Sequence, residues 1–378
     1  MHDLNRIQRD LQESLSLDKH PVALLIGAGC PLAVRVPGTG GATAPLIPDI
    51  RGLTALVTSQ LSGEPAFKIL LAEFTKDNVG TVNIEDMLSR VRVLSRIVGQ
   101  GEARGLNSSE LKELEERMCA AVAEAVRKDL PDKDTPYHKL ASWVGGTRRS
   151  SPLQIFTTNY DLLMEEALED LELPVFDGFV GVRKPFFDLR AIEDDTLPLR
   201  WPRVWKLHGS VNWCLENEHT VRRLPASSTL TSGLLIHPSE LKYDQSRRMP
   251  YLAMIDRLRS FLRQPSAFLV TTGYSFADQH LNEVILQGLR SNPTAAGFAL
   301  LYGKLDDEVA ASTVASRIPT NLTLLARDKG VVRCNRDAWM TDPAPVSVGT
   351  APECRLGDFS EFASFLKKLS ASSGAASA

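Results

Sequence analysis

The chain has few cysteines, and none of them is arranged to bind a metal. Its 378 residues include five cysteines with no CxxC pair, namely Cys30, Cys119, Cys214, Cys334 and Cys354. A structural zinc ribbon needs closely spaced cysteines, so the sequence predicts that there is no zinc ribbon and that no metal is bound. Scattered cysteines in a cytosolic chain are most simply reduced, semi-buried apolar residues.

The sequence also lacks long apolar runs and a strong charge of either sign. No apolar run is long enough to span a bilayer, and the amino end shows no secretory signal pattern. The net charge of −3 gives no indication of binding to nucleic acid or to an anionic membrane. We therefore expect a cytoplasmic protein without membrane or direct nucleic-acid contacts.

Apolar segments of strand length alternate with segments of helical periodicity along most of the chain. This alternation is typical of an α/β fold with a doubly wound, Rossmann-like parallel sheet. The first predicted strand covers residues 21–26 and the next covers residues 153–158, and between them the pattern is helical from Leu53 to about Val144. The sequence therefore predicts a helical module inserted into the sheet domain.

The predicted domain boundaries follow from these patterns. Residues 1–52 and 150–330 form the sheet domain, and residues 53–149 form the inserted helical module. Residues 331–378 form a C-terminal segment, in which a final helix begins at Asp358 and is followed by a disordered tail.

Four predicted strands end in glycine or polar residues. These ends are Gly27-Ala-Gly-Cys30, Asn159-Tyr-Asp161, His208-Gly-Ser210 and Gly273-Tyr-Ser275. The carboxyl ends of parallel strands lie along one edge of a sheet and face the ligand crevice. We therefore expect these four segments to converge on one site.

Each of these residues also has a purely structural interpretation. His208 is suited to move protons near neutral pH, but a single histidine after a strand is more often a hydrogen-bonded structural residue. Asn159 either faces a ligand or caps the following helix. The glycine turn either binds a phosphate or is a plain tight turn, because Leu32 interrupts the full GxGxxG pattern.

The segment after the glycine turn is rich in proline and glycine. Residues 35–48 contain three prolines and three glycines, which predicts an irregular loop that acts as a lid. Asp49 follows about 20 residues after the turn, where an acid that binds ribose is often found. Its position after a proline favours a solvated loop acid as the alternative.

Five segments in the same order resemble motifs of the sirtuin family, the silent information regulators. The family motifs GAG-x-S, IPD-F-R-G, T-Q-N-I-D, L-H-G and G-T-S are similar to Gly27-Ala-Gly-Cys30, Ile47-Pro-Asp-Ile-Arg-Gly52, Thr157-Thr-Asn-Tyr-Asp161, Lys206-Leu-His-Gly-Ser210 and Gly273-Tyr-Ser275. The resemblance covers roughly residues 20–52 and 150–305.

Several positions depart from the pattern of the protein deacylases in this family. Those enzymes carry four zinc cysteines shortly after the histidine, where this chain has only Cys214. Cys30 replaces the usual serine, and Thr158 replaces the usual glutamine. The segments resemble more closely the sirtuin-like domains of bacterial antiphage proteins, which consume NAD⁺.

The resemblance implies a role for each matching residue. Asn159 positions the ribose or the attacking water with support from Asp161, and His208 acts as the general base. Asp49 and Arg51 lie near the nicotinamide. The phosphates and the ribose are held by Gly27, Ala28, Gly29 and Ser275, and the further NAD-binding positions are Cys30, Thr158 and Gly273.

The expected function is that of an NAD⁺ glycohydrolase, with NAD⁺ as substrate and no metal, acting in antiphage defence. Two alternatives remain. One is a sensor or scaffold that binds NAD or ADP-ribose without turnover, and the other is a protein deacylase or ADP-ribosyltransferase. Some standalone relatives form homo-oligomers that pair with a hexameric HerA-type ATPase, so the resemblance implies the same partners here.

Overall fold

The computed structural model of the protein describes most of the chain. The residues outside the description are 17, 19, 39–40, 78–79, 81, 133, 218–219, 226–227, 229–233, 237–248, 318–320, 342–351 and 376–378. No described helix is long and apolar enough to cross a bilayer.

The helices of the described residues come in chain order as follows: α1 Leu4–Ser16, α2 Ile50–Leu61, α3 Pro65–Lys76, α4 Ile84–Ile97, α5 Ser108–Val126, α6 Pro136–Gly146, α7 Leu163–Glu169, α8 Leu189–Asp194, α9 Tyr251–Leu262, α10 Gln279–Ser291, α11 Val309–Ser316 and α12 Phe359–Ala375. The strands are β1 His2–Asp3, β2 Val22–Ile26, β3 Arg35–Pro37, β4 Thr43–Pro45, β5 Glu102–Ala103, β6 Leu106–Asn107, β7 Gln154–Thr157, β8 Phe179–Val180, β9 Phe186–Phe187, β10 Arg203–Lys206, β11 Gly209–Asn217, β12 Thr220–Arg223, β13 Leu234–Ile236, β14 Phe268–Thr272, β15 Ala296–Leu300, β16 Leu322–Leu325, β17 Lys329–Val332 and β18 Asn335–Met340.

Six parallel strands form the centre of a nine-stranded sheet. Their spatial order is β10-β7-β2-β14-β15-β16, which in chain order reads 3-2-1-4-5-6. This is the doubly wound order in which a ligand crevice opens between the first and the fourth strand. The predicted α/β fold with a Rossmann-like parallel sheet is therefore confirmed. In the register, Ile26 pairs with Thr157 on one side and with Thr272 on the other.

The sheet extends beyond the predicted strands at one edge. Strand β17 runs antiparallel to β16, β18 runs antiparallel to β17, and β1 pairs in parallel with β18. The two residues of β1 are too few to produce an alternating pattern, so the sequence held no signal for this pairing.

Strand β2 illustrates how both faces of the sheet are covered. All five side chains of β2 are buried. Leu24 and Ile26 pack into one apolar cluster with α1 to α7 and α12, whereas Ala23 and Leu25 pack into a second cluster with α9 to α11. A strand buried on both faces reads as a continuous apolar run, as residues 22–26 do.

The predicted helical module shares its core with the sheet. Buried side chains of residues 53–149 belong to the same cluster as Leu24 and Ile26. Asn83 and Asn107 each form a capping box, at the start of α4 and of α5. The boundaries proposed for the module and for the sheet domain stay predictions.

Three segments differ in detail from the sequence-based expectations. Within residues 35–48, strands β3 and β4 form a short antiparallel hairpin in place of an irregular loop. Helix α12 continues to Ala375, past the start of the predicted disordered tail, because its serines and alanines do not stop a helix. The apolar run at residues 234–237 predicts a short strand, of which Leu234–Ile236 form β13, whereas His237 lies outside the described residues.

A second, antiparallel sheet has the strand order β13-β11-β12-β9-β8. Its longest strand, β11, begins at Gly209, directly after His208. Within the described residues, no group of His, Cys, Asp or Glu side chains is arranged to hold a metal ion. This sheet contains Cys214, on β11, the one cysteine in the segment shortly after His208.

We predict that Gly288→Ala destabilises the protein, although alanine is the better helix former by about 1 kcal/mol. A Cβ at this position in α10 would lie 2.6 Å from Cβ of Leu262 in α9. Overpacking of this kind costs about 1–3 kcal/mol, and the rigid contact outweighs the gain in propensity. Denaturant unfolding measures the effect. Gly63→Ala is the control, because nothing lies within 4 Å of a Cβ there. A gain in stability for Gly288→Ala would contradict the prediction.

Candidate functional site

The turns after β2 and β14 touch each other through their main chains. Gly27 N donates to Thr272 O, and Gly29 N donates to Gly273 O, both at 2.9 Å. A Cβ on Gly27 would lie 2.3 Å from Gly273 O, and Gly273 itself has a φ of +62°. Only glycine permits this contact and this backbone conformation. The two strand ends are therefore locked together at the point where the strand order reverses.

This contact changes the predicted role of the glycine turn. The N–H groups of Gly27 and Gly29 already donate to carbonyls of the protein, so a phosphate bound at this turn would use other main-chain groups, and the predicted binding of NAD by the turn stays a prediction. Gly27 is buried under the second turn, whereas Ala28 is exposed and lines the cavity described below.

Cys30 is a packing residue rather than a reactive group. It is fully buried, and its Sγ donates to Thr272 O at 3.3 Å. Burial raises the pKa of the Cys30 thiol far above its ordinary value, so the thiol stays protonated. Cys30 does not line the cavity described below, because its side chain points into the contact between the two turns, and its predicted contact with NAD stays a prediction.

Asn159 is held in place by the strand next to its own. Its main-chain N donates to Oγ1 of Thr157 at 3.0 Å, and its Nδ2 donates to Gly27 O at 3.2 Å. Its Oδ1 is buried and has no hydrogen-bond partner within the described protein. A buried acceptor without a partner costs free energy, so this oxygen is suited to accept a hydrogen bond from a ligand or water.

The alternative that Asn159 caps the following helix is excluded. Helix α7 begins at Leu163, and its main-chain N donates to Oδ1 of Asp161 at 3.1 Å. Tyr137, on α6, lies against the same carboxamide: burial raises the pKa of its hydroxyl, and Asn159 opposes the rise. Asn159 thus contacts the protein through Gly27 and Tyr137 while it lines the cavity.

Asp161 is buried close to a buried cation. Burial raises its pKa to about 6, against the opposing effect of the Lys206 ammonium. Lys206 Nζ donates to the carbonyl oxygen of Asp161 and, at 3.1 Å, to Oε1 of Glu165. The carboxylate of Asp161 supports the start of α7 by accepting from Leu163 N, and its predicted support of Asn159 stays a prediction.

His208 pairs with an acid that the sequence analysis did not identify. His208 follows β10, and its Nε2 lies 3.0 Å from Oδ2 of Asp278. Both side chains are buried. The other carboxylate oxygen of Asp278 accepts from Leu281 N at 3.1 Å and so caps α10. The sequence did contain a signal for Asp278. An acid directly before a helix is a typical cap, and Leu281, Val284 and Ile285 give the helix after Gly273-Tyr-Ser275 an apolar face.

A single cavity of about 460 Å³ brings these strand ends together. Nine of the twelve predicted site residues line it, namely Ala28, Gly29, Asp49, Thr158, Asn159, Asp161, His208, Gly273 and Ser275. Gly27, Cys30 and Arg51 do not. Arg51 is exposed in the first turn of α2, while Asp49 caps that helix by accepting from Gly52 N at 2.8 Å.

The charged side chains around the cavity are almost all acidic. The titratable lining includes one histidine and five carboxylates, which belong to Asp49, Glu85, Asp161, Asp278 and Glu308. Among the described lining residues there is no lysine and no arginine. The cavity therefore favours a ligand, or a part of one, that carries positive charge.

We predict that Asp161→Asn gains stability over the wild type as the pH rises from about 4 to 6. The raised pKa means that the folded wild type retains a proton that the unfolded chain has lost, so its stability falls as the pH rises through this window. The asparagine keeps the acceptor for Leu163 N but has no charge. A shift from 3.8 to about 6 corresponds to at most about 3 kcal/mol. Denaturant unfolding of both proteins between pH 4 and 7 measures the difference, and a difference that does not vary with pH would contradict this.

Comparisons with known proteins agree with the motifs. Residues 153–318, somewhat less than half of the chain, match the protein family described as SIR2-like domain. No curated protein matches the chain. Among solved structures, the chain is similar to a SIR2 homologue in complex with NAD, at 14% identity over 98% of both chains and a TM-score of 0.40.

Two further solved structures show a similar likeness. One is a mutant Sir2 homologue in complex with ADP-ribose, at 13% identity over 97% of both chains and a TM-score of 0.35. The other, from work on the mechanism and regulation of Sir2 enzymes, is 12% identical over 97% of this chain and 98% of that one, with a TM-score of 0.37. Such TM-scores are too low to establish a shared fold. The part of the chain that carries Asn159, His208 and Asp278 nevertheless lies within the match to the SIR2-like domain.

Proposed function

We propose that the protein is an NAD⁺ glycohydrolase, which uses water to cleave the bond between nicotinamide and ribose. The observation that carries the proposal is the cavity between the first and fourth parallel strands, which is lined by His208 and by Asn159, whose buried Oδ1 has no hydrogen-bond partner within the described residues. The reaction converts NAD⁺ and water into nicotinamide, ADP-ribose and a proton.

The acidic lining suits the charge changes of this reaction. When the bond between C1′ and nicotinamide breaks, its electron pair goes to the nicotinamide nitrogen and positive charge develops on the ribose. Carboxylates placed around a cavity stabilise such a charge, and five of them line this one. The phosphates are then bound by main-chain N–H groups of the turns other than those of Gly27 and Gly29, a mode of binding that needs no cationic side chain.

Asn159 and His208 divide the remaining work. Oδ1 of Asn159 accepts a hydrogen bond from a ribose hydroxyl or from the attacking water, which holds the water in line with C1′. His208 takes the proton that the water loses as its oxygen bonds to C1′. No metal is required for either step.

The wider biological role rests on the resemblance of the motifs. The sirtuin-like antiphage domains that the segments resemble consume NAD⁺, so we propose that this chain acts in phage defence by depleting NAD⁺ in the cytoplasm. A homo-oligomer and a HerA-type ATPase are the partners proposed on the same ground. Turnover is therefore to be measured both for the isolated chain and for the chain assembled with such an ATPase.

We expect His208→Ala and Asn159→Ala each to lower NAD⁺ turnover by about 100-fold or more, because each removes a group that acts on the attacking water. Turnover is measured by chromatography, which quantifies the nicotinamide and ADP-ribose that are released. His138→Ala is the matched control. His138 Nε2 also pairs with an aspartate, Asp170, at 2.9 Å, but His138 does not line the cavity.

The same assay separates the alternatives. If the protein binds NAD⁺ saturably but shows no turnover in any assembled state, the proposed function changes from a hydrolase to a sensor. Nicotinamide release that depends on an acetyl-lysine peptide would replace it by a deacylase. Unchanged turnover in His208→Ala or Asn159→Ala would remove that residue from the mechanism.

We also expect the protein to use NAD⁺ at least about tenfold more efficiently than NADP⁺. Glu308 lines the cavity beyond β15, three strand spacings of about 4.8 Å from β7 and Asn159, which is the side that the adenosine half would occupy. The additional phosphate of NADP⁺ would meet this carboxylate without a cation among the described lining residues.

The comparison of kcat/KM for the two dinucleotides tests this expectation. Glu308→Gln retains an acceptor for Gly303 N, which the carboxylate now holds at 3.1 Å, and should narrow the preference by improving the use of NADP⁺. Equal efficiencies for the wild type would contradict the expectation.

A further inference from the structure

We propose that Asp278 is a positioning residue for His208: it holds the imidazole through Nε2 and thereby makes Nδ1 the ring atom that receives the proton. This inference rests on the proposed function in one respect, namely that the proton comes from the attacking water. The geometry of the His208–Asp278 pair does not depend on that function. The Nε2–Oδ2 distance of 3.0 Å and the burial of both side chains are properties of the protein itself.

The loop that carries Asp278 is held in place from several directions. Oδ1 of Asp278 caps α10 through Leu281 N. The hydroxyl of Tyr274 donates to Oδ1 of Asn282 at 2.8 Å, and Nδ2 of Asn282 donates to Phe276 O at 2.7 Å. Phe276 adopts a φ of +57°, an unfavourable value for a bulky residue that such a network has to impose. The carboxylate is therefore presented to His208 by a preorganised loop.

The chemistry follows from this hydrogen bond. An ionised carboxylate only accepts hydrogen bonds, so Nε2 of His208 donates and carries a proton. In the neutral imidazole Nδ1 is then the acceptor. When water attacks C1′, one water O–H bond breaks and the proton goes to Nδ1, while the C1′–N electron pair leaves with nicotinamide. The resulting imidazolium stays paired with Asp278 until it releases the proton to solvent.

The same pair of residue types occurs elsewhere in the chain with a different environment. His138 and Asp170 are joined at 2.9 Å, but 51% of the Asp170 side chain is exposed, against 8% for Asp278. Water screens the first pair far more than the second. His138–Asp170 is therefore the internal reference for what a solvated pair does.

Other charged groups also face His208 across the cavity. They are the carboxylates of Asp49 before α2, Glu85 on α4, Asp161 after β7 and Glu308 before α11. The buried Lys206 ammonium on β10 does not line the cavity and is bonded to Asp161 O and Glu165. These groups are the same in the wild type and in an Asp278 variant, so a change between the two reports on Asp278.

The test is Asp278→Asn, because asparagine caps a helix as well as aspartate does but presents an amide to Nε2. Nitrogen NMR of the imidazole gives the tautomer without any need for turnover, and the His208→Ala variant assigns the signal among the seven histidines. We expect the Nε2–H tautomer in the wild type and the Nδ1–H tautomer in Asp278→Asn. We also expect His208 to take up a proton at lower pH in the variant, since the carboxylate favours the imidazolium.

Kinetics provide the second readout. Asp278→Asn should lower kcat by about 100-fold or more with little change in KM, as expected for a buried aspartate behind a catalytic histidine. It should also move the acidic limb of the pH profile to lower pH. Asp170→Asn should do neither. If Asp278→Asn does not fold, Asp278→Ser also retains the cap without the carboxylate.

Two results would overturn the inference. One is an unchanged His208 tautomer in the Asp278 variant, and the other is a kcat that stays within about threefold of the wild type at every pH. If the wild type shows no turnover at all, the hydrolase proposal fails, and the NMR comparison still decides the role of Asp278.

Discussion

The site depends on a main-chain contact between two glycine turns. The hydrogen bonds from Gly27 to Thr272 and from Gly29 to Gly273 join the ends of the first and fourth parallel strands main chain to main chain. Because Gly27 lies so close, its carbonyl can accept from the carboxamide of Asn159 and set its orientation. The loop that leaves Gly273 carries Asp278 to His208. The three polar groups at the centre of the site are thus placed relative to one backbone junction.

Much of this arrangement was predictable, because parallel strands have simple signals. Residues 22–26 form an apolar run that is buried on both faces, and the polar residues that follow each strand lie where sheet topology places them. Asn159 and His208 are 49 positions apart in the sequence, and the sequence alone therefore allowed them to be assigned to one cavity. The glycine turn was assigned to the right place, but its contact with the second turn was not foreseen, since a pattern of glycines does not reveal which group accepts the hydrogen bonds of Gly27 N and Gly29 N.

Other features depend on contacts that a linear pattern does not encode. Asp278 meets His208 across 70 positions, and its role as a helix cap gives no hint of a second partner. The acidic lining arises only when α2, α4, α10 and the strand ends come together. The exclusion of Cys30 and Arg51 from the cavity is likewise a matter of orientation, which sequence spacing alone does not determine in irregular turns or in the first turn of a helix.

The shared core of the helical module and the sheet has a consequence for how such a chain can change over generations. Leu24 and Ile26, at the centre of the sheet, pack into the same apolar cluster as the buried side chains of residues 53–149. A chain that lost this segment would expose one face of its own first strand to water. Recombination therefore cannot exchange the segment independently of the sheet, and the two have to be inherited together. Substitutions on one side of their contact have to be compensated on the other side.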